Sequence, residues 1–270
     1  MKDKRLFFSL PFSAFLVMYA HYQLLLVAIA TCTLASTRSY LTPNCSSLAQ
    51  STSLSVYNAS FLNATYYDTG ALNISGTLNK ISICEVYVSV SYGTDNYLIF
   101  ALWLPDKQYS SRFMALGNGG QAGVINYSDM ITELNSGLGF AVAGGNAGHL
   151  ASDNDAGVGP SIGAPGAFQP FLHDEDQVRA WLHNAISLLT PASKALIKDF
   201  YGREVKHAYY RGCSAGGAQG FSLAEFHPDL FDGIISGCPA NWFTHLLLSF
   251  LWNAQHTNVS LPIWSPSLTK

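Results

Sequence analysis

The sequence predicts an α/β chain: a mostly parallel sheet with flanking helices, fed at its N-terminal side by an antiparallel hairpin. Three observations carry this. Apolar runs of strand length alternate with segments of helical spacing, and Gly-rich loops follow several of those runs. A turn of small residues, Gly212-Cys213-Ser214-Ala215-Gly216-Gly217, separates a strand-like run from a helix-like one. At 270 residues the chain is long enough to bury a sizeable core in one domain.

Residues 1–35 read as a secretory leader and stand apart from the fold. Lys2, Lys4 and Arg5 supply the positive start, Leu24 to Ala30 the apolar core, and Thr33-x-Ala35 a small-residue cleavage site. A membrane anchor is the alternative, because Leu6 to Ala20 is already apolar before His21-Tyr22-Gln23 interrupts it. With cleavage, residues 36–270 are expected to be extracellular, with no stable membrane association. Sequons at Asn44, Asn58, Asn63, Asn73, Asn126 and Asn258 agree with export, and their density up to Asn73 suggests a glycan-bearing surface segment. Charged residues make up only 11% of the chain and the net charge is −3, which argues against a nucleic-acid partner.

The elements follow in order. Residues 36–80 are rich in Ser, Thr and Asn with short apolar bursts. Ile81 to Val90 and Tyr97 to Leu104 read as two strands joined around Gly93-Thr94-Asp95-Asn96, the second stopped by Pro105. Arg112 to Leu116 is a third strand, ending in Gly117-Asn118-Gly119-Gly120, and Phe140 to Ala143 a short buried one before the loop Gly144 to His149. Asp174 to Leu189 has helical spacing, with Val178, Trp181, Leu182, Ala185 and Leu189 near one face. Pro191 is expected to open a second helix that ends at Gly202. The strand before Ser214 comes next, then a helix halted near Pro228, then a strand over Asp232 to Gly237.

The chemistry centres on Gly212 to Gly217. This is a G-x-S-x-G pattern in a strand–turn–helix context, the nucleophile elbow of an α/β-hydrolase, where a strained turn lifts a serine Oγ above the sheet. Ser214 is therefore the candidate nucleophile. A serine needs a base to take its proton and donors to hold the oxyanion. The Ala215 N–H, directly after the serine, is one candidate donor, and the loop after the third strand normally supplies another. Gly119 and Gly120 occupy that loop, and Asn118 and His149 are expected to border the cleft.

These residues resemble the tannase and feruloyl esterase family of secreted serine esterases. The likeness is carried by Leu116 to Gly120 with Gly123, Gly148-His149, Tyr201-Gly202, Tyr210-x-Gly212-Cys213-Ser214-x-Gly216-Gly217, Gln219-Gly220, Phe231 to Ile234 and Pro239 to Trp242. It runs from about Cys45 to about Trp252, and the cysteine before the serine is its most specific part. The resemblance implies a carboxylic ester hydrolase acting on galloyl or feruloyl esters, with no cofactor for the chemistry. It implies an N-terminal disulfide between Cys45 and Cys84, and a bridge from Cys213 to a cysteine following the catalytic histidine. It also implies a lid domain with a structural calcium.

The sequence departs from that pattern after the elbow. Only 56 residues follow Ser214, and none of them forms a His-Cys pair. The catalytic Asp and His, the lid, the last strands and the calcium ligands are thus expected beyond residue 270, with no metal site within the chain. Asp232 is read as structural, and His149, His183, His245 and His256 as surface or cleft histidines. Cys213 is left either free or paired with Cys238. The alternative to an esterase is a catalytically inactive fragment of one, with at most a binding function.

Overall fold

A computed structural model describes residues 45–153 and 169–257. Its centre is a seven-stranded sheet in the order β1-β4-β5-β7-β6-β8-β9. The strands are β1 (Ala59–Tyr67), β4 (Ile83–Tyr92), β5 (Asn96–Pro105), β6 (Arg112–Leu116), β7 (Phe140–Gly145), β8 (His207–Cys213) and β9 (Gly233–Gly237). β6, β7, β8 and β9 are mutually parallel, whereas the β1/β4, β4/β5 and β5/β7 pairs are antiparallel. β4 therefore points with the parallel block, and only β1 and β5 oppose it. The α/β-hydrolase class and the feeding hairpin match the expectation.

The hairpin is the best-buried part. Its register runs without a break from Ile83 opposite Pro105 to Tyr92 opposite Asn96. Alternation sends Cys84, Val86, Val88, Val90, Leu98, Phe100, Leu102 and Leu104 into one apolar layer, and Ile83, Ala101 and Trp103 into the other. Both faces of a sheet covered by helices favour such near-continuous apolar strands. The first layer is closed by the long helix after residue 174, through Leu189, Leu196 and Ile197. The second is closed by α1 (Tyr127–Leu134), through Met130, Ile131 and Leu134. Glu85 is a buried acid on this hairpin, and it accepts a hydrogen bond from Trp103 Nε1 at 2.7 Å.

The Cys45–Cys84 bridge, with Cα atoms 5.5 Å apart, ties the first turn to β4. The polar segment before it holds more structure than its composition suggests. β1 runs along the sheet edge, bulged between Phe61 and Asn63, and a small ribbon pairs β2 (Asn73–Ile74) with β3 (Thr77–Leu78). Only part of one β1 face is buried, so its Ser, Asn and Thr residues hide the alternation that marks a strand.

One expectation is corrected. Pro191 does not open a second helix; it lies inside α3 (Ala185–Tyr201), which continues from α2 (Glu175–Arg179) through a π turn at Ala180–Asn184. Proline removes one ladder N–H and usually ends or kinks a helix. Here the buried stripe Ile186, Leu189, Ala192, Leu196, Ile197 and Phe200 carries on past it, and packing outweighs the lost bond. The helix then ends at Gly202 in the left-handed region, as expected. Of the other expectations, the leader, Asn44 and Asn258 lie outside the described residues. Among the described residues, no helix is long and apolar enough to cross a membrane.

Candidate active site

Ser214 sits where β8 ends and α4 (Ala215–Phe226) begins. Its backbone adopts φ 60°, ψ −119°, a conformation that side chains resist. Strain of this kind, on the order of 1–3 kcal/mol, persists only where the surroundings over-determine it. Three bonds do so here. The Ser214 N–H donates to Gly237 O at 3.1 Å, and its carbonyl accepts from Ala218 N at 3.1 Å and Ala240 N at 2.9 Å. A second disulfide, Cys213–Cys238, staples the same two loops, with Cα atoms 5.5 Å apart. It decides between the two states left open for Cys213.

The loop after β6 is built against this turn. A Cβ on Gly216 would run into the backbone N and O of Asn118, and one on Gly117 into the Tyr210 hydroxyl. Glycine at both places lets the loop after β6 lie directly on the start of α4. Asn118 is buried and anchors that loop: its Nδ2 donates to Gly145 O at 2.7 Å, and its own N–H donates to Gln219 Oε1 at 3.2 Å. With the Asn118 amide engaged, Gly119 and Gly120 come next, and their N–H groups have no acceptor among the described residues. They line a cavity of about 500 Å³ together with Ile74, Ile125 and Tyr127. Ala215, at the first position of α4, adds an amide that no intrahelical carbonyl reaches.

Three residues that sequence reading gave no role hold the loop in place. Gln219, almost fully buried, donates from Nε2 to Trp181 O at 2.8 Å while its Oε1 takes the Asn118 amide. The Tyr210 hydroxyl donates to Gly216 O at 2.6 Å, and burial keeps that phenol protonated by raising its pKa. Trp181 Nε1 donates to Gly120 O at 3.2 Å. The signal was present, in a glutamine on an otherwise small and apolar helix face and a tyrosine in the middle of the strand before the turn. Neither names its partner, because the contacts span up to 101 residues.

The scan against protein families matches residues 84–269 to "Tannase and feruloyl esterase". The probable feruloyl esterase B-1 of Aspergillus flavus is 30% identical over 232 residues, covering 82% of this chain and 40% of that protein. The crystal structure of feruloyl esterase B from Aspergillus oryzae superposes with a TM-score of 0.61 at 30% identity, over 75% of this chain and 39% of that one. The chain belongs to the tannase and feruloyl esterase family. A tannin acyl hydrolase from Aspergillus niger, 21% identical with a TM-score of 0.54, shares the fold over 74% of this chain and 37% of its own. The chain thus spans between 30% and 40% of the length of the curated relatives it matches.

The histidines named from the sequence have these surroundings in the described fold. His149 is buried and stacked on Phe171 with ring centroids 3.9 Å apart. Burial holds its pKa down at about 4, against the opposing pull of the Gln121 and Ala147 backbone, so it is neutral at pH 7. His183 Nδ1 lies 3.1 Å from Ser222 Oγ, and His207 Nδ1 lies 3.9 Å from Asp232 Oδ1. His245 and His256 are exposed on α5 (Phe243–Thr257). Asp232 is bound to the neighbouring strand, its Oδ2 accepting from Ala208 N at 2.7 Å. Among the described residues no hydrogen bond reaches the Ser214 hydroxyl. Among the described residues no group of three or more His, Cys, Asp or Glu side chains is placed to hold a metal.

Proposed function

We propose that the chain is the nucleophile-bearing part of a secreted carboxylic ester hydrolase that cleaves phenolic-acid esters. The observation that carries this is the strained Ser214 turn, held beside a loop whose Gly119 and Gly120 amides have no acceptor among the described residues. In this reading Ser214 Oγ attacks the ester carbonyl, and the alcohol leaves as an acyl-serine forms. The carbonyl oxygen becomes an oxyanion, which the N–H groups of Ala215, Gly119 and Gly120 stabilise at the start of α4. Water then releases the phenolic acid.

Cys213 and Cys238 act on geometry rather than on bonds to substrate, by fixing the loop that receives the Ser214 N–H. The base and acid of the reaction are assigned to none of the described histidines, since no hydrogen bond joins any of them to Ser214 among the described residues. No step runs through a metal. Galloyl or feruloyl esters are the proposed substrates, because the relatives are named as feruloyl esterases and a tannin acyl hydrolase. Extracellular location rests on the leader-like residues 1–35 and the sequons.

The test joins this chain to the remaining C-terminal portion of the Aspergillus oryzae relative and measures hydrolysis of methyl ferulate and methyl gallate. Turnover that falls at least ~10³-fold in Ser214→Ala is the expected result. A folded chimera in which Ser214→Ala leaves the rate unchanged would sink the nucleophile assignment.

A further inference from the structure

We propose that Asn58 and Asn63 carry N-linked glycans that cover the free edge of β1 and keep copies of the chain from pairing there. This rests on the secretory reading above and goes beyond the esterase chemistry. β1 is the terminal strand of the sheet, and among the described residues no strand pairs with its outer side. It spans Ala59–Tyr67, and Leu62 and Tyr66 on it are about half exposed. A long edge with exposed apolar residues is a template for intermolecular pairing unless something blunts it. β1 carries no Lys, Arg, Pro, Asp or Glu, which are the usual devices.

What it carries instead is two sequons, Asn58-Ala59-Ser60 and Asn63-Ala64-Thr65. Asn58 is the residue just before the strand, exposed and in the left-handed region at φ 51°. Asn63 is exposed in mid-strand, directly after the bulge that leaves Leu62 without a cross-strand partner. Its amide makes only a 3.4 Å contact, to the Thr65 hydroxyl of its own sequon. Asn126 offers a contrast. Its sequon is half-buried, its Oδ1 caps α1 by accepting from Asp129 N at 3.2 Å, and its Nδ2 donates to Asp129 Oδ2 at 3.0 Å. A glycan there would replace an engaged N–H, whereas one at Asn58 or Asn63 displaces almost nothing.

The co-reactant is a lipid-diphosphate-linked oligosaccharide. The asparagine Nδ2 bonds to the sugar C1, the C1–O bond to phosphate breaks, the lipid diphosphate leaves, and the amide gives up one proton. Attached glycans project from the strand edge and add bulk and hydration where a second β1 would otherwise align.

The experiment expresses the full chain behind a standard secretion leader in a glycosylating host. Sites are mapped by enzymatic glycan release in heavy-oxygen water and peptide mass spectrometry. Label at Asn58 and Asn63 and none at Asn126 is expected; unlabelled Asn58 and Asn63 overturn the proposal. The Asn58→Gln/Asn63→Gln variant is then compared with the parent for loss of soluble protein by light scattering. A several-fold faster loss is expected, reversed by adding Leu62→Lys, which supplies a charge in place of the glycans. An unchanged rate in the double variant overturns edge protection, as does a faster rate that Leu62→Lys leaves unaltered. An unchanged circular dichroism spectrum keeps the comparison at the level of association, and the esterase reading is tested separately, by hydrolysis in the chimera.

Discussion

The antiparallel side of the sheet and the parallel side are built to different ends. β4 and β5 are buried on both faces, run in unbroken register, and are joined to the N-terminal turn by Cys45–Cys84. Around β8 and β9 the backbone is strained at Ser214, glycines bring loops into contact, and Ile235 and the α5 residues Leu248, Leu251 and Trp252 are exposed. Stability is concentrated where no chemistry is proposed, and strain where it is. The Ser214 turn keeps its costly conformation because backbone bonds and the Cys213–Cys238 bridge over-determine it.

The largest effect should come from the hairpin. Phe100→Ala should cost about 3–5 kcal/mol in urea unfolding, by opening a cavity in the main apolar layer. Ile235→Ala, on the exposed parallel side, should change stability by less than about 0.5 kcal/mol. Equal losses would erase the contrast between the two sides. Removing both halves of the first bridge, Cys45→Ala/Cys84→Ala, should cost about 4 kcal/mol at a separation of 39 residues. A shift in the unfolding midpoint well under half of that would show that the bridge does not close a floppy segment.

His149 sets a pH test. Its imidazole resists protonation in the fold, with a pKa of about 4, whereas an unfolded histidine takes up its proton near 6.5. The unfolded state therefore binds more protons between those values, and stability falls as pH drops from 6.5 towards 4, then levels off. The loss should reach at most about 3 kcal/mol, and His149→Phe should abolish it in denaturant melts taken across that range.

Gln219→Leu should cost roughly 2 kcal/mol, because the Asn118 N–H and Trp181 carbonyl lose their partner. The assay on the family-length chimera should show a lower kcat with KM little changed, since the loop that presents Gly119 loses its anchor. The last effect has the opposite sign. Ser214→Gly should raise stability by about 1 kcal/mol, by removing the side chain from the φ 60° turn, while abolishing hydrolysis. A neutral or destabilising result would mean that the turn is not strained.

Local chemistry made part of this legible. The hairpin could be read because β-branched and aromatic runs flank a turn with Gly93 and Asp95, both at positive φ. The elbow could be read because only small residues tolerate so close a turn. β1 was hidden by its polar exposed face and its bulge, and α1 by its short length. Pro191 misled because proline is a strong local stop signal, overridden here by a stripe of contacts that no local window contains.

The sequence by itself determined the α/β class, the Ser214 turn and the family, since each depends on short-range pattern or on residue identity, and it implied the Cys45–Cys84 pair only through the family resemblance. Tertiary structure alone decided the strand order, the Cys213–Cys238 bridge and the network from Tyr210 and Gln219 through Asn118 to Trp181. Those depend on which surfaces meet after the chain crosses over itself. Hydrogen-bond partners separated by tens of residues are fixed by packing, and packing is not written in any one segment.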